Sequence, residues 1–105
     1  MAGTIMKIRY TQGFANSLEQ IILYWQNQLS LSPRKIIQFV DHINQKIGLL
    51  SEFPQMGTDV TELYHLDTKT YRLLIGHSYA IFYRVKGDLI TVGAIFSAPQ
   101  MKIKI

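Results

Sequence analysis

The chain of 105 residues contains no cysteine. This absence excludes a disulfide framework, a thiolate zinc site and a cysteine nucleophile, so the fold has to be stabilised by burial of apolar side chains. Long hydrophobic runs are also missing, because the longest apolar stretch, Ile21–Trp25, is far below the roughly 18 to 20 residues that span a bilayer. Residues 1–10 lack the continuous hydrophobic segment of a secretory signal. We therefore expect a cytoplasmic protein that does not engage a membrane.

The composition is that of one folded domain covering residues 1–105. Hydrophobic residues make up 48% of the chain and charged residues 17%, both near the values of globular proteins. The net charge is +4, and it is unevenly placed: residues 52–67 carry acids but no Lys or Arg, whereas the chain from Lys69 onward is basic. The basic part predicts a nucleic acid or an acidic protein as partner, and the alternative is a solvated surface without a partner.

The first half of the chain predicts a strand followed by two helices. Lys7–Thr11 is short and alternates charged with apolar side chains, which is typical of a strand. Thr11, or alternatively Asn16, is expected to cap the first helix, and Ser32 before Pro33 is a stronger start signal for the second. The apolar stripes predict a core composed of Phe14, Leu18, Ile21, Trp25, Val40, Ile43 and Ile47.

The last third predicts a sheet. Gln55–Thr70 has no period and is expected to form a loop. Tyr71–Ile75, Tyr79–Val85 and Leu89–Phe96 are rich in aromatic and β-branched residues and are separated by turn residues, which predicts a three-stranded antiparallel meander. The resulting order is an α+β fold in which an N-terminal strand and a two-helix hairpin precede the meander, with both helices packed on one sheet face.

Four segments of the chain are notable together, although no single one is diagnostic by itself. They are Ile8–Thr11, Leu18–Ile21 leading to Tyr24–Trp25, Phe53–Gly57, and Tyr71–Val85. In this order and spacing they resemble the RelE/ParE toxin superfamily, and in particular its ParE, or plasmid stabilization, branch. The resemblance covers nearly the whole chain.

The resemblance implies a toxin that a cognate antitoxin holds inactive. Members of the ParE branch inhibit DNA gyrase, whereas RelE-like members cleave messenger RNA on the ribosome. Arg72 stands where a RelE-like ribonuclease has a basic residue, but Leu74 and Ala80 stand where two others are expected. After the last strand, residues 97–101 contain no Arg, His or Tyr, which departs both from the ribonuclease pattern and from the basic ending common in ParE.

The departure from the ribonuclease pattern favours a gyrase-binding toxin without enzymatic chemistry, whereas the missing basic ending counts against strong action on gyrase. The first hypothesis is the gyrase-binding toxin, and it assigns no catalytic residue. Its predicted target- and partner-binding residues are Arg72, Arg84, Tyr83, Lys86 and Tyr24. The strand arginines are proposed because a planar guanidinium binds phosphate or carboxylate through two donors. Neither a cofactor nor a metal is predicted, since His65 has no second histidine at ligand spacing.

Two alternatives remain open at the level of sequence. One is a ribosome-dependent endoribonuclease that uses Arg72 with His77 or Tyr79, because an imidazole titrates near neutral pH. The other is a weakly toxic family member that acts mainly through the complex with its acidic antitoxin. The altered C-terminal segment favours this second alternative.

Overall fold

The computed structural model describes residues 6–76 and 78–97, which form two helices and five strands. In chain order these elements are β1 (Lys7–Tyr10), α1 (Gln12–Asn27), α2 (Pro33–Leu49), β2 (Thr58–Asp59), β3 (Thr70–Ile75), β4 (Tyr79–Lys86) and β5 (Leu89–Ser97). The five strands make one sheet in the order β1-β5-β4-β3-β2, in which β1 is parallel to β5 and the other pairs are antiparallel. The predicted α+β fold is confirmed.

Both helices begin at the residues that the sequence indicates. Thr11 precedes α1, where its Oγ1 accepts a hydrogen bond from the Phe14 N–H at 3.0 Å. The same hydroxyl donates to the Gly93 carbonyl at 2.9 Å, which fixes the start of the helix against β5. Ser32 accepts from the Lys35 N–H at 3.3 Å, and Pro33 opens α2 because its missing N–H is not needed there.

The core lies between the helices and one face of the sheet. Phe14, Ile43 and Ile47 are buried together with inward-facing strand residues, and Trp25 is also buried. Trp25 packs edge-on against Phe39 of α2 at 4.2 Å and thereby links the two helices. The other predicted core residues, Leu18, Ile21 and Val40, are only partly buried.

Two features of the sheet were not predicted. The segment Gln55–Thr70 is not entirely loop, because Thr58–Asp59 forms β2 and pairs with Tyr71–Arg72 of β3. A bulge also interrupts the pairing of β4 with β5: Phe82 is opposite Ala94 and Tyr83 is opposite Val92, so Gly93 is the extra residue. Gly87, with φ of 60°, makes the short turn that joins these two strands.

A candidate binding surface on the outer face of the sheet

The sheet face opposite the helices, called the outer face here, is not covered by a second helical layer. Because side chains alternate along a strand and directly paired residues share a side, the register assigns its members. From β3, β4 and β5 these are Thr70, Arg72, Leu74, Ala80, Phe82, Arg84, Lys86, Leu89, Thr91, Ala94 and Phe96.

Arg72 lies near the middle of this face on β3. Its direct neighbours are Thr58 of β2 and Phe82 of β4. The side chain is partly exposed, but its Nε atom is buried and has no hydrogen-bond partner among the described residues. A buried N–H that lacks a partner is costly, so Arg72 is not placed here for stability. Because the residue is partly exposed, its other guanidinium nitrogens remain for an acceptor brought by a ligand or a partner protein.

Arg84 and Lys86 follow on β4, and both side chains are exposed. The Arg84 Nε lies 3.4 Å from the Thr70 hydroxyl and donates a long hydrogen bond to it. Thr70 is buried, so this contact holds the base of the arginine side chain against the sheet while its terminal nitrogens face outward. The structure therefore places three of the predicted binding residues, Arg72, Arg84 and Lys86, on one surface.

An open groove of about 730 Å³ lies beside these arginines. It runs between the chain segment 63–66 and the outer face, and Tyr64 of that segment packs edge-on against Phe82 at 5.7 Å. Phe82 in turn packs against Phe96 at 5.8 Å. The Tyr64 hydroxyl is buried without a partner among the described residues, so it is a second unused polar atom near Phe82, besides the Arg72 Nε.

Tyr83 lies on the opposite side of β4 from the outer face, so its side chain offers little exposed area for the predicted partner binding. Its side chain is 1% exposed because residue 83 faces the helices, opposite to Arg84. The hydroxyl donates to the Pro54 carbonyl at 2.9 Å and accepts from the Gly57 N–H at 3.0 Å. Burial raises the pKa of this phenol above its ordinary value of 10.0, while the hydrogen bond from Gly57 acts in the opposite direction. Tyr83 therefore anchors the segment that follows α2.

Tyr24 and Tyr79 lie on the helical side of the sheet. The Tyr79 hydroxyl accepts a hydrogen bond from the Trp25 indole N–H at 2.9 Å, and Tyr24 is 52% exposed on α1. Both line a second open groove, of about 620 Å³, between α1 and the ends of β4 and β5. Arg72 and Tyr79 are thus on opposite faces, and the structure does not bring this alternative catalytic pair together. His77 and the unusual segment 98–101 lie outside the described residues.

The charges of the described residues are mostly unpaired. Their single ion pair joins the Lys69 Nζ to Asp59 at 2.7 Å, at the edge of the sheet. The hydrogen bond from Lys69, together with one from the Thr61 N–H, lowers the pKa of Asp59 from 3.8 to about 2. The outer-face cations Arg72, Arg84 and Lys86 have no such carboxylate partner within residues 6–76 and 78–97.

In the described part of the chain, no group of three or more His, Cys, Asp or Glu side chains is arranged to hold a metal ion. Among the same residues, no helix has the length and hydropathy needed to cross a membrane.

Sequence reasoning missed the aromatic part of the candidate surface. Phe82 and Phe96 alternate with core residues on their strands, so the period of two offered a signal that places Phe82 beside Arg84. Tyr64 offered none, because it belongs to an irregular segment that crosses the sheet only in the folded chain.

The fold is that of a small α+β protein with two helices on one face of the sheet and an outer face that no helix of the described residues covers. A family model described as the ParE toxin of the type II toxin–antitoxin system parDE matches residues 8–101. The chain therefore belongs to the ParE toxin family and is a toxin of a type II toxin–antitoxin system. No curated protein matches it.

Two solved structures have the same fold. A chain of the chromosomal ParDE toxin–antitoxin system from P. aeruginosa is 20% identical, with a TM-score of 0.71 over 90% of this chain and 98% of that one. A chain of the RelBE2 toxin–antitoxin complex from Mycobacterium tuberculosis is 18% identical, with a TM-score of 0.54 over 91% and 94%. At these identities the likeness establishes the shared fold.

Proposed function

We propose that this toxin inhibits DNA gyrase in the cytoplasm by binding to it through the outer face, without cleaving a substrate. The observation that carries the proposal is Arg72, a guanidinium held on a rigid strand with a buried Nε that has no partner in the described chain. A cation fixed in this way loses little side-chain freedom on binding and presents its remaining donors to a carboxylate.

The surroundings of Arg72 support binding more than acid–base chemistry. RNA cleavage without a metal requires one group that removes the 2′-hydroxyl proton and another that protonates the leaving oxygen. Arg72 is flanked by Thr58 and Phe82, and Leu74 follows on the same side of its strand. Tyr79 faces the helices, so the described residues offer Arg72 no proton-transfer partner from the predicted set.

We also propose that the cognate antitoxin is an acidic, partly disordered chain that folds on this toxin. The net charge of +4 and the cation Arg72, which has no carboxylate partner among the described residues and lies outside the basic pair Arg84 and Lys86, support an acidic partner. If electrostatic attraction contributes, the affinity of the complex decreases as the salt concentration rises. An affinity that is constant between low and high salt would contradict the acidic part of this proposal.

A supercoiling assay with purified gyrase and relaxed plasmid tests the target. The wild-type toxin is expected to inhibit supercoiling, and Arg72→Ala is expected to require more than tenfold higher concentration, because losing a charge-assisted interface contact commonly costs about 2 kcal/mol or more. Arg34→Ala is the matched control, since Arg34 is an exposed cation on α2, away from the outer face. Circular dichroism checks that both variants are folded.

Growth arrest in cells distinguishes the gyrase inhibitor from the ribonuclease. Under the proposal, Arg72→Ala relieves growth arrest and His77→Ala largely retains it. The opposite pattern, combined with cleavage of ribosome-bound message in primer extension, would replace gyrase inhibition by RNA cleavage. Absence of growth arrest and of supercoiling inhibition in the wild type would leave a protein that acts through its antitoxin complex.

A further inference from the structure

Four exposed cations flank Leu89 and Thr91 of β5 on the outer face. Lys7 and Arg9 lie on β1, paired in register with Leu89 and Thr91 of β5. On the other side of β5, the same two residues pair with Lys86 and Arg84 of β4. Because directly paired residues share a side, all four cations project from the outer face. They are called the basic tetrad below.

The dimensions of the basic tetrad follow from strand geometry. Two residues along a strand are separated by about 7 Å, which is the distance from Lys7 to Arg9 and from Arg84 to Lys86. Two strand spacings separate β1 from β4, so the pairs lie about 10 Å apart. Thr91 is midway between Arg9 and Arg84 and brings no charge of its own. An anionic group above Thr91 therefore meets cations on two sides.

No acid neutralises the basic tetrad in the part of the chain that the structure describes. All four side chains are exposed, and the ion pair between Lys69 and Asp59 lies at the opposite edge of the sheet. Asp88 occupies the turn between β4 and β5, where its backbone carbonyl accepts from the Lys7 N–H at 2.8 Å. Its exposed carboxylate forms no ion pair, so the tetrad retains a concentrated positive potential.

We propose that the basic tetrad binds the phosphate backbone of double-stranded DNA. Proteins that hold single strands combine cations with exposed aromatic rings on which bases stack. The centre of the tetrad is instead Leu89 and Thr91, and the nearest outer-face rings, Phe82 and Phe96, pack against each other. Cations without a stacking platform match a duplex, whose bases are already stacked and whose phosphates are outside.

An acidic polypeptide fits this part of the surface less well. Protein partners derive most of their affinity from apolar or aromatic anchors in pockets, and charges at the rim contribute mainly to the association rate. The groove with such anchors lies beside Phe82 and Tyr64 and reaches the tetrad only at Arg84 and Thr91. The other three cations, Lys7, Arg9 and Lys86, lie outside its lining, so most of the tetrad offers charge without an anchoring pocket. Such a surface suits a polyanion that is recognised without regard to sequence.

Salt-dependent binding of fluorescent duplexes to the full-length toxin, with no gyrase present, tests the proposal. Neutralising four phosphates gives a slope of about −3.6 in a plot of log affinity against log salt concentration, because each contact contributes about −0.9. Affinity then falls about 150-fold between 50 and 200 mM salt. Two duplexes of unrelated sequence are expected to bind equally, and the corresponding single strands more weakly.

Variants assign the binding to the basic tetrad. Arg9→Ala combined with Arg84→Ala should reduce the slope to about −1.8, since two contacts are lost. The matched control is Arg34→Ala with Lys35→Ala, which removes the same charge from exposed positions on α2 and should leave the slope unchanged. Arg9→Ala alone is informative if the double variant is poorly folded, because Arg9 makes no side-chain hydrogen bond in the described chain and should reduce the slope by about 0.9.

Three results would overturn the inference. These are a slope weaker than about −1 for the wild type, an equal loss of binding in the α2 control, and tighter binding of single strands than of duplexes. Since the assay contains no gyrase, a negative result does not bear on the proposed inhibition of gyrase. Failure of the supercoiling assay likewise leaves the DNA-binding inference standing.

Discussion

The two faces of the sheet are built from the same strands but have opposite characters. On β4, Ile81 and Tyr83 face the helices and are almost fully buried, whereas Arg84 and Lys86 are exposed on the outer face. The inner face is apolar, and the hydroxyl of Tyr83 is paired with Pro54 and Gly57 while that of Tyr79 is paired with Trp25. The outer face keeps unpaired cations and the buried, unpartnered Nε of Arg72.

This difference shows how a small domain separates stability from binding. Burial of apolar area supplies most of the folding free energy, so it has to be concentrated where the helices cover the sheet. Charges that lack partners contribute little to stability but remain available to a ligand. Substitutions at adjacent positions of one strand are therefore expected to have different effects. Those at inner positions should reduce stability, and those at outer positions should reduce binding.

The largest effect is expected for Ile43→Ala on α2. Ile43 is fully buried against the inner face, and replacement by Ala leaves a cavity, so the free energy of unfolding should decrease by about 2 to 5 kcal/mol. Thermal or urea denaturation measures it. Ile37→Ala on the same helix is the control, because Ile37 is 60% exposed and its replacement should change the stability by less than about 0.5 kcal/mol. Equal losses in both variants would contradict the assigned core.

A smaller loss is expected for Tyr83→Phe. The hydroxyl pairs with the Pro54 carbonyl and the Gly57 N–H, so its removal leaves partly buried groups unsatisfied and should cost about 1 to 3 kcal/mol. Tyr71→Phe is the control, because that ring stacks on Tyr83 at 5.3 Å but its hydroxyl makes no hydrogen bond within the described residues. A Tyr83→Phe protein as stable as the Tyr71→Phe protein would refute this anchoring role.

The Tyr83 anchor also explains part of the segment Phe53–Gly57. A side chain at position 57 would place its Cβ 2.8 Å from both the Arg72 carbonyl and the Tyr83 hydroxyl, so only glycine fits without movement of the backbone. In the sequence, this segment was recognised only because it resembles the corresponding segment of the ParE family. The physical reason is a contact with a residue 26 positions further along the chain, which sequence patterns do not reveal.

The local elements of the fold could be predicted because their signals are local. Thr11 and Ser32–Pro33 mark helix starts through caps and a fixed proline φ, and the periods of the helices and of β4 depend on neighbouring residues. The parallel pairing of β1 with β5 and the bulge at Gly93 depend on contacts across the whole chain, and they were not predicted.

The bulge at Gly93 shows how such long-range contacts determine which residues form the candidate surface. On β5, Ile90 and Val92 face inward, and if the strand alternated regularly through Gly93, with no bulge, the next inward residue would be Ala94 instead of Ile95. The bulge thus returns Ile95 to the core and Phe96 to the outer face. Alternation along β4 separates Arg84 from Tyr83, but the register with β3, and therefore the side and neighbours of Arg72, required the three-dimensional structure.

The smallest expected effect concerns the ion pair between Asp59 and Lys69, which lies at the edge of the sheet. Its carboxyl pKa is lowered from 3.8 to about 2 in the folded protein, mainly by the hydrogen bond from Lys69. A lowered folded-state pKa stabilises the protein above pH 3.8, and this contribution is lost as the pH falls towards 2. Because both side chains are exposed, solvent and salt screen the interaction and the contribution is small.

Thermal denaturation at pH 7 and at pH 2 measures this contribution through the variant Asp59→Asn, which retains an acceptor for the Thr61 N–H but has no charge to pair with Lys69. The wild type should be slightly more stable than the variant at pH 7, and the two should become equally stable near pH 2 or in 1 M salt, where screening acts over about 3 Å. Asp67→Asn is the control, since Asp67 is exposed and forms no ion pair in the described chain, so its stability should follow the wild type at both pH values. A difference between wild type and Asp59→Asn that persists at pH 2 would show that the carboxylate charge is not its source, and Asp59 would then contribute through the geometry of β2.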